Sequence, residues 1–407
     1  MAPFLLPEIL GKYGAYLVYL LIGFAFGYVL EIAGFGNSRK LAAQFYFNEM
    51  TVLKVMFTGI IVAMVLIFSA TGLGLLDYNL LWVNPTYLWP GIVGGLIMGV
   101  GFIIGGFCPG TSLVAFATAK VDGIFFVGGV LFGIFLFGET VPNFTEFWNS
   151  SYMGRVTLMD WLGLSTGWVV LLVVLMALFM FWGAEQLEKM FGGEDPKFAP
   201  RIRVGGAGAV ALVAVGVIAI GQPSTMDRWN WIAPEKAPLV AERGIYMHPA
   251  EVMDIKYNEK LSLIMIDVRD ETDYNLFHVE QARHIPANEI MDYVPEFNLA
   301  PANTVFVVMG NDETLATDVW KTMVAESVPN VYVVEGGINN WLDVYGDHNE
   351  GMVPLLNAPD DTLRYQFDVA LGARQPASDP HLHEYDLEYV PKLKMELKQG
   401  PSGGGCG

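Results

Sequence analysis

The chain has 407 residues, 53% of them hydrophobic, with two cysteines and a formal net charge of −19. Residues 1–221 hold 12 of the 42 acids and 10 of the 23 lysines and arginines, so nearly all the negative charge, and all six histidines, follow residue 221. This split reads as a near-neutral membrane part followed by an acidic soluble part, and such acidity excludes nucleic-acid binding, which needs clustered Lys and Arg.

Apolar stretches of spanning length lie at residues 13–34, 52–76, 87–107, 123–141, 165–184 and 204–221. The N-terminus lacks a basic region ahead of the first stretch, so no cleavable signal peptide is expected. With six spans, Arg39, Lys40, Lys54, Lys120, Lys189, Lys197, Arg201 and Arg203 fall on one face, and only Lys12 and Arg155 on the other. The positive-inside tendency makes the first face cytoplasmic and sets the soluble part in a periplasm. The expected location is therefore the cytoplasmic (inner) membrane, multi-pass.

A 72-residue shift superposes Gly23, Gly27, Gly34 and Phe35 on Gly95, Gly99, Gly106 and Phe107. The expected fold class is thus a polytopic α-helical membrane domain with a tandem Gly-rich repeat, each unit a span, a Gly-Phe break, a short segment and a second span. Close helix packing explains the spaced glycines but not the matching breaks. The second break reads Gly105-Gly106-Phe107-Cys108-Pro109-Gly110-Thr111-Ser112. Pro109 and Gly110 end the incoming helix, and Thr111 or Ser112 can cap a new one. N–H groups at such a start attract anions, so Cys108 stands where a soft sulfur meets a small anion. The alternative is a small buried apolar residue. Glu31 lies inside the first span, where charge is costly; it either lines a pathway or sits at the interface.

The motif 105–111, with Gly34-Phe35-Gly36, Gln44-Phe45-Tyr46-Phe47 and Met50-Thr51-Val52-Leu53-Lys54, resembles the YeeE/YedE sulfur-transport family over roughly residues 15–140. The resemblance implies uptake of thiosulfate or another sulfane-sulfur anion across the bilayer. Cys108, Pro109, Gly110 and Thr111 would touch the substrate, with Gly36 as the first-repeat counterpart of Cys108. Full-length members carry further pathway cysteines, and this membrane part looks half-size. Either two chains complete one pathway as a homodimer, or the protein does not transport alone.

Residues 222–240 read as a Pro- and Trp-containing linker between the membrane domain (1–221) and an α/β pattern at 241–346. There Leu263-Ile264-Met265-Ile266-Asp267-Val268-Arg269, Tyr274, His278, Ile285-Pro286 and Gly336-Gly337 with Trp341 together resemble a rhodanese-like domain. In active members a cysteine follows the strand that matches residues 304–308; here the loop Met309-Gly310-Asn311-Asp312-Glu313-Thr314 has none. Asp312 and Glu313 are expected to repel an anionic donor, and Asp267, Arg269 and His278 to be structural. The chain is therefore expected not to be an enzyme, and to need no cofactor or metal.

Residues 347–407 form a polar extension ending Gly-Gly-Gly-Cys-Gly. Cys406 on this tether resembles the arm of SoxY-type sulfur carriers, which implies soluble sulfur-carrier or sulfurtransferase partners; a cloning scar or an incidental thiol are the alternatives. The leading function is transport of thiosulfate or a related species. The alternative is a membrane-anchored persulfide relay that translocates nothing.

Overall fold

The computed structural model describes residues 2–4, 6–192, 201–346, 352–381 and 387–395. Two compact units emerge, Met1–Gln222 and Pro223–Ser402.

In the first unit α1 (Leu6–Ala33), α2 (Ser38–Ala43) and α3 (Thr51–Gly72) are followed by α4 (Leu88–Gly105), α5 (Pro109–Ala117) and α6 (Val121–Thr140). Two short helices, α7 (Thr145–Trp148) and α8 (Leu158–Leu162), then lead to α9 (Thr166–Leu187) and α10 (Arg201–Ile220). Among the described residues six helical stretches are long and apolar enough to cross a membrane. The first starts earlier than hydropathy suggested, because α1 continues before Lys12 across a kink at Gly11 (φ 68°, ψ 168°), a conformation glycine adopts without steric cost.

Helices α3, α9 and α10 bury a shared core of Ile61, Val65, Phe68, Val170, Val174, Ala177, Ala214 and Val217. Helices α1, α4 and α6 instead expose apolar side chains all round, among them Phe24, Ile104 and Phe125. Such helices are stable where lipid or protein replaces water.

The second unit opens with α11 (Thr225–Ala241), not the linker expected at 222–240. Ser224 and Asp227 form a reciprocal capping box at its start. Trp229 meets Trp320 edge-to-face at 6.0 Å, and Thr225 and Arg228 both reach Glu326. Tertiary packing thus overrides the helix-breaking tendency of Pro234 and Pro238.

Next come β1 (Tyr246–Met247), α12 (Pro249–Lys256), β2 (Ser262–Asp267), α13 (Glu271–Leu276), β3 (Arg283–His284), α14 (Ile290–Leu299), β4 (Thr304–Met309), α15 (Thr314–Ala325), β5 (Val331–Val334) and α16 (Gly337–Tyr345). The strands form a parallel sheet in the order β1-β5-β4-β2-β3. All six residues of β4 are buried, as befits a central parallel strand covered on both faces. One face packs against Val252, Met253, Trp341 and Leu342, the other against Phe297, Trp320 and Met323.

The polar extension contributes β6 (Met352–Pro354) and β7 (Tyr365–Phe367), an antiparallel pair. Further on, the carboxylate of buried Glu251 accepts the N–H groups of Lys392 and Leu393 at 2.8 Å. Cys406 lies outside the described residues.

Candidate functional site

Two chain breaks meet in the first unit. Helix α1 closes with the N–H of Gly34 (φ 87°) on the Glu31 carbonyl and that of Phe35 on the Leu30 carbonyl, the two bonds of a Schellman motif. Phe35 buries itself with Leu30, Leu41, Val52, Phe107 and Ala115. Helix α4 ends at Gly106 (φ 73°), whose N–H donates to the Phe102 carbonyl. A Cβ on Gly106 would stand 3.0 Å from the Ser38 carbonyl oxygen, so the second break rests on the start of α2.

Cys108 caps α5. Its backbone is extended (φ −93°, ψ 167°), the conformation preferred before a proline, and Pro109 occupies N1, where no N–H is needed. The Cys108 N–H donates to Thr111 Oγ1 at 2.9 Å, and the Thr111 N–H donates to Cys108 Sγ at 3.4 Å. Thr111 Oγ1 also stands 3.3 Å from the sulfur. The result is a capping box with a thiol where Ser or Thr usually serves. Gly110, at N2, carries one of the orphan N–H groups of a helix start. Cys108 is half-buried, Thr111 buried and Pro109 exposed.

At the first break the N-cap is Asn37, whose Oδ1 accepts from Arg39 and Lys40, one residue beyond Gly36. Gly36 has a different task. A Cβ there would lie 2.5 Å from Glu31 Oε2 and 2.7 Å from Lys120 Nζ, while Lys120 Nζ donates to Glu31 Oε1 at 2.9 Å. Beside this pair Ser38 Oγ donates to Asp122 Oδ2 at 2.7 Å. Asp122, Ser38 and Asn37 escaped the sequence reading, and Lys120 entered it only as a loop base. The available signal was Glu31 itself, since an acid inside a span needs a counter-charge.

In the second unit, 310–314 follows β4, the place of the reactive loop in the rhodanese resemblance. Arg269 is fully buried. Its guanidinium holds both oxygens of Asp267 at 2.9 and 2.7 Å, donates to the Phe277 carbonyl at 2.6 Å, and braces the loop through Asn311 Oδ1 at 3.3 Å. His278 Nδ1 bonds the Tyr274 carbonyl oxygen at 2.8 Å, and the Tyr274 ring stacks between His278 and His284. All three thus have structural partners.

Loop carbonyls accept from the start of α16, Gly310 from Ile338 and Asn311 from Asn339. The Glu313 carboxylate takes the Gly336 N–H and a two-pronged contact from Arg243. Arg243 Nη2 also reaches Glu335 Oε1 at 3.0 Å, so one guanidinium is shared by two carboxylates and offsets the Glu313 charge only in part. Asp312 accepts the N–H groups of Thr314 and Asp361. Burial pushes the Asp312 carboxyl up, but these bonds outweigh it and hold the group below its usual range.

Asp361 goes the other way: burial, then repulsion from Asp312 and Asp273, raise it above 3.8. A raised folded value stabilises fully below 3.8, and that contribution is lost as pH climbs through the folded value. Asp361→Asn should therefore raise the thermal midpoint of the full chain near pH 7 and leave it unchanged near pH 3.5. Asn also tolerates the φ of 55° at this position. Equal midpoints at both pH values would refute this account.

Comparison with known families adds to the geometry. A family model described as sulphur transport matches residues 33–249, just over half of the chain, and a rhodanese-like domain model matches 249–343. The thiosulfate sulfurtransferase GlpE of Pseudomonas paraeruginosa is 27% identical over 119 residues, 29% of this chain and 89% of that protein. GlpE of Pseudomonas fluorescens is 23% identical over 120 residues, 30% of this chain and 91% of that protein. No solved structure matches.

Proposed function

We propose that this chain, which belongs to the sulphur transport family, carries thiosulfate or a related sulfane-sulfur anion across the cytoplasmic membrane, past Cys108. The observation that carries this reading is the Cys108–Thr111 capping box at a helix break packed against a second break. Broken helices survive at membrane depth where protein or a watery cavity satisfies their ends. Cys108, Pro109, Gly110 and Thr111 would contact the anion; Gly36 admits the Glu31–Lys120 pair.

The rhodanese-like domain has a non-catalytic role in this reading, because residues 223–405 contain no cysteine to hold a persulfide. Cys406 would then accept or deliver sulfur on the soluble side, which the loop-charge bias sets in the periplasm. Two copies would share one pathway. In support, a Cβ on Gly91, Gly94, Gly95 or Gly99 of α4, or on Gly128, Gly129 or Gly133 of α6, would meet no atom of another described segment within 4 Å. Glycine faces of this kind suit a close helix neighbour.

Reconstituted vesicles test the reading. The wild-type chain should take up sulfur-labelled thiosulfate, should cross-link as a two-chain species, and should form no thiocyanate from thiosulfate and cyanide. Absence of uptake together with added sulfur on Cys406 would favour the anchored relay instead.

A further inference from the structure

We infer that Lys120 is the anion-recognising cation of the membrane pathway, and that Glu31 is a positioning carboxylate holding it until the anion arrives. This rests on the transport reading above and adds the charged group that an anion pathway needs.

Among the described residues the membrane unit holds three lysine–glutamate pairs, Lys40–Glu49 at 3.4 Å, Lys54–Glu188 and Lys120–Glu31, and the last two differ in how their carboxylates are used. Glu188 uses both oxygens: Oε2 takes Lys54 Nζ at 2.6 Å, and Oε1 takes the Met50 N–H at the start of α3 at 2.5 Å. Its side chain is 18% exposed and that of Lys54 22%, so the pair is a saturated structural tie. Glu31 is not saturated. Oε1 takes Lys120 Nζ, whereas Oε2, the inner oxygen of a side chain that is 40% exposed, has no hydrogen-bond partner among the described residues. A carboxylate oxygen left without a donor is unfavourable, so Glu31 binds its lysine in an under-satisfied state.

Lys120 is similarly under-used. An ammonium has three donors, and one goes to Glu31. Its side chain remains 36% exposed, in the corner between α5 and α6, against Gly36 of the first break. Asp122, the other acid of this corner, has both oxygens occupied, by Ser38 Oγ and the Gly123 N–H. The Ser38–Asp122 bond also joins the first break to the start of α6, so Glu31–Lys120 is not alone in holding these segments together. What remains is a cation whose carboxylate partner is exchangeable. An arriving oxyanion can take the Lys120 N–H groups in place of Glu31, and Glu31 can reclaim them when the anion leaves. Gly36 makes this possible, because any side chain there would occupy the position of the pair.

The test is the concentration dependence of initial thiosulfate uptake by the full chain in vesicles. Lys120→Gln should raise KM about tenfold, the factor that ~1.4 kcal/mol sets, with a smaller change in kcat. Glu31→Gln removes the competitor and should lower KM. The double variant should match Lys120→Gln, and Lys120→Arg should stay near wild type. A purely structural pair gives another pattern: both single variants lose thermal stability and rate together, and the double variant recovers them. That pattern, or a wild-type KM in Lys120→Gln, overturns the inference and leaves the transport reading standing. Should Lys120→Gln fail to insert, the KM of Glu31→Gln decides: a fall supports the exchange, and no change refutes it. Wild-type vesicles that take up no thiosulfate end the transport reading, and this inference with it.

Discussion

Cys108→Ser is expected to insert and fold as the parent does while losing thiosulfate uptake by about 10- to 100-fold. The Cys108 side chain has two separable roles. As an N-cap, serine is at least as good as cysteine, because its hydroxyl accepts from the Thr111 N–H at the place where Sγ does so at 3.4 Å. The capping box with Thr111 Oγ1 should therefore survive, and with it the start of α5. As a soft, polarizable group facing a sulfane-sulfur anion, serine is no substitute. Losing one contact to a charged group costs about 1.5–3 kcal/mol, which sets the range of the expected loss. Cys108→Ala should lose uptake as well, and about 1 kcal/mol of stability besides, since alanine cannot cap. Met309→Ala, beside the rhodanese-like loop, serves as the control and should keep its uptake. Full uptake by Cys108→Ser would reduce the cysteine to a cap.

Arg269→Ala should unfold the second unit at a markedly lower temperature. Arg269 and Asp267 are 1% and 0% exposed, and the guanidinium serves Asp267, the Phe277 carbonyl and Asn311 together. Removing it strands a buried carboxylate and a loop amide, a loss of about 3–5 kcal/mol. For a unit of this size that corresponds to a fall of roughly 6–20 °C in midpoint. Tryptophan fluorescence offers the readout, because Trp320 and Trp341 are both buried in this unit. The double variant Asp267→Asn with Arg269→Met should recover part of the loss, since it leaves no charge behind. A drop no larger than a surface substitution gives would show that the pair is dispensable.

Hydropathy and chain-local sterics decided much of this protein in advance. Span lengths follow from runs of apolar residues, and the helix stops follow from glycines that accept positive φ, Gly34 and Gly106. The start of α5 follows from Pro109 and a capping residue, and the strands of the second unit from buried β-branched runs. Each of these depends on residues adjacent in the chain. The pairings were not legible in the same way. Glu31 and Lys120 stand 89 residues apart, Ser38 and Asp122 84, and Lys392 meets Glu251 across 141. Residues 225–241 looked like a linker because two prolines outweigh local helix propensity, yet Trp229 against Trp320 and Arg228 against Glu326 hold them helical. Only the folded chain could assign Glu313 to Arg243, a guanidinium it shares with Glu335. Local steric preferences act between chain neighbours, whereas a charge or an aromatic face takes its energy from whatever the fold brings within a few ångströms.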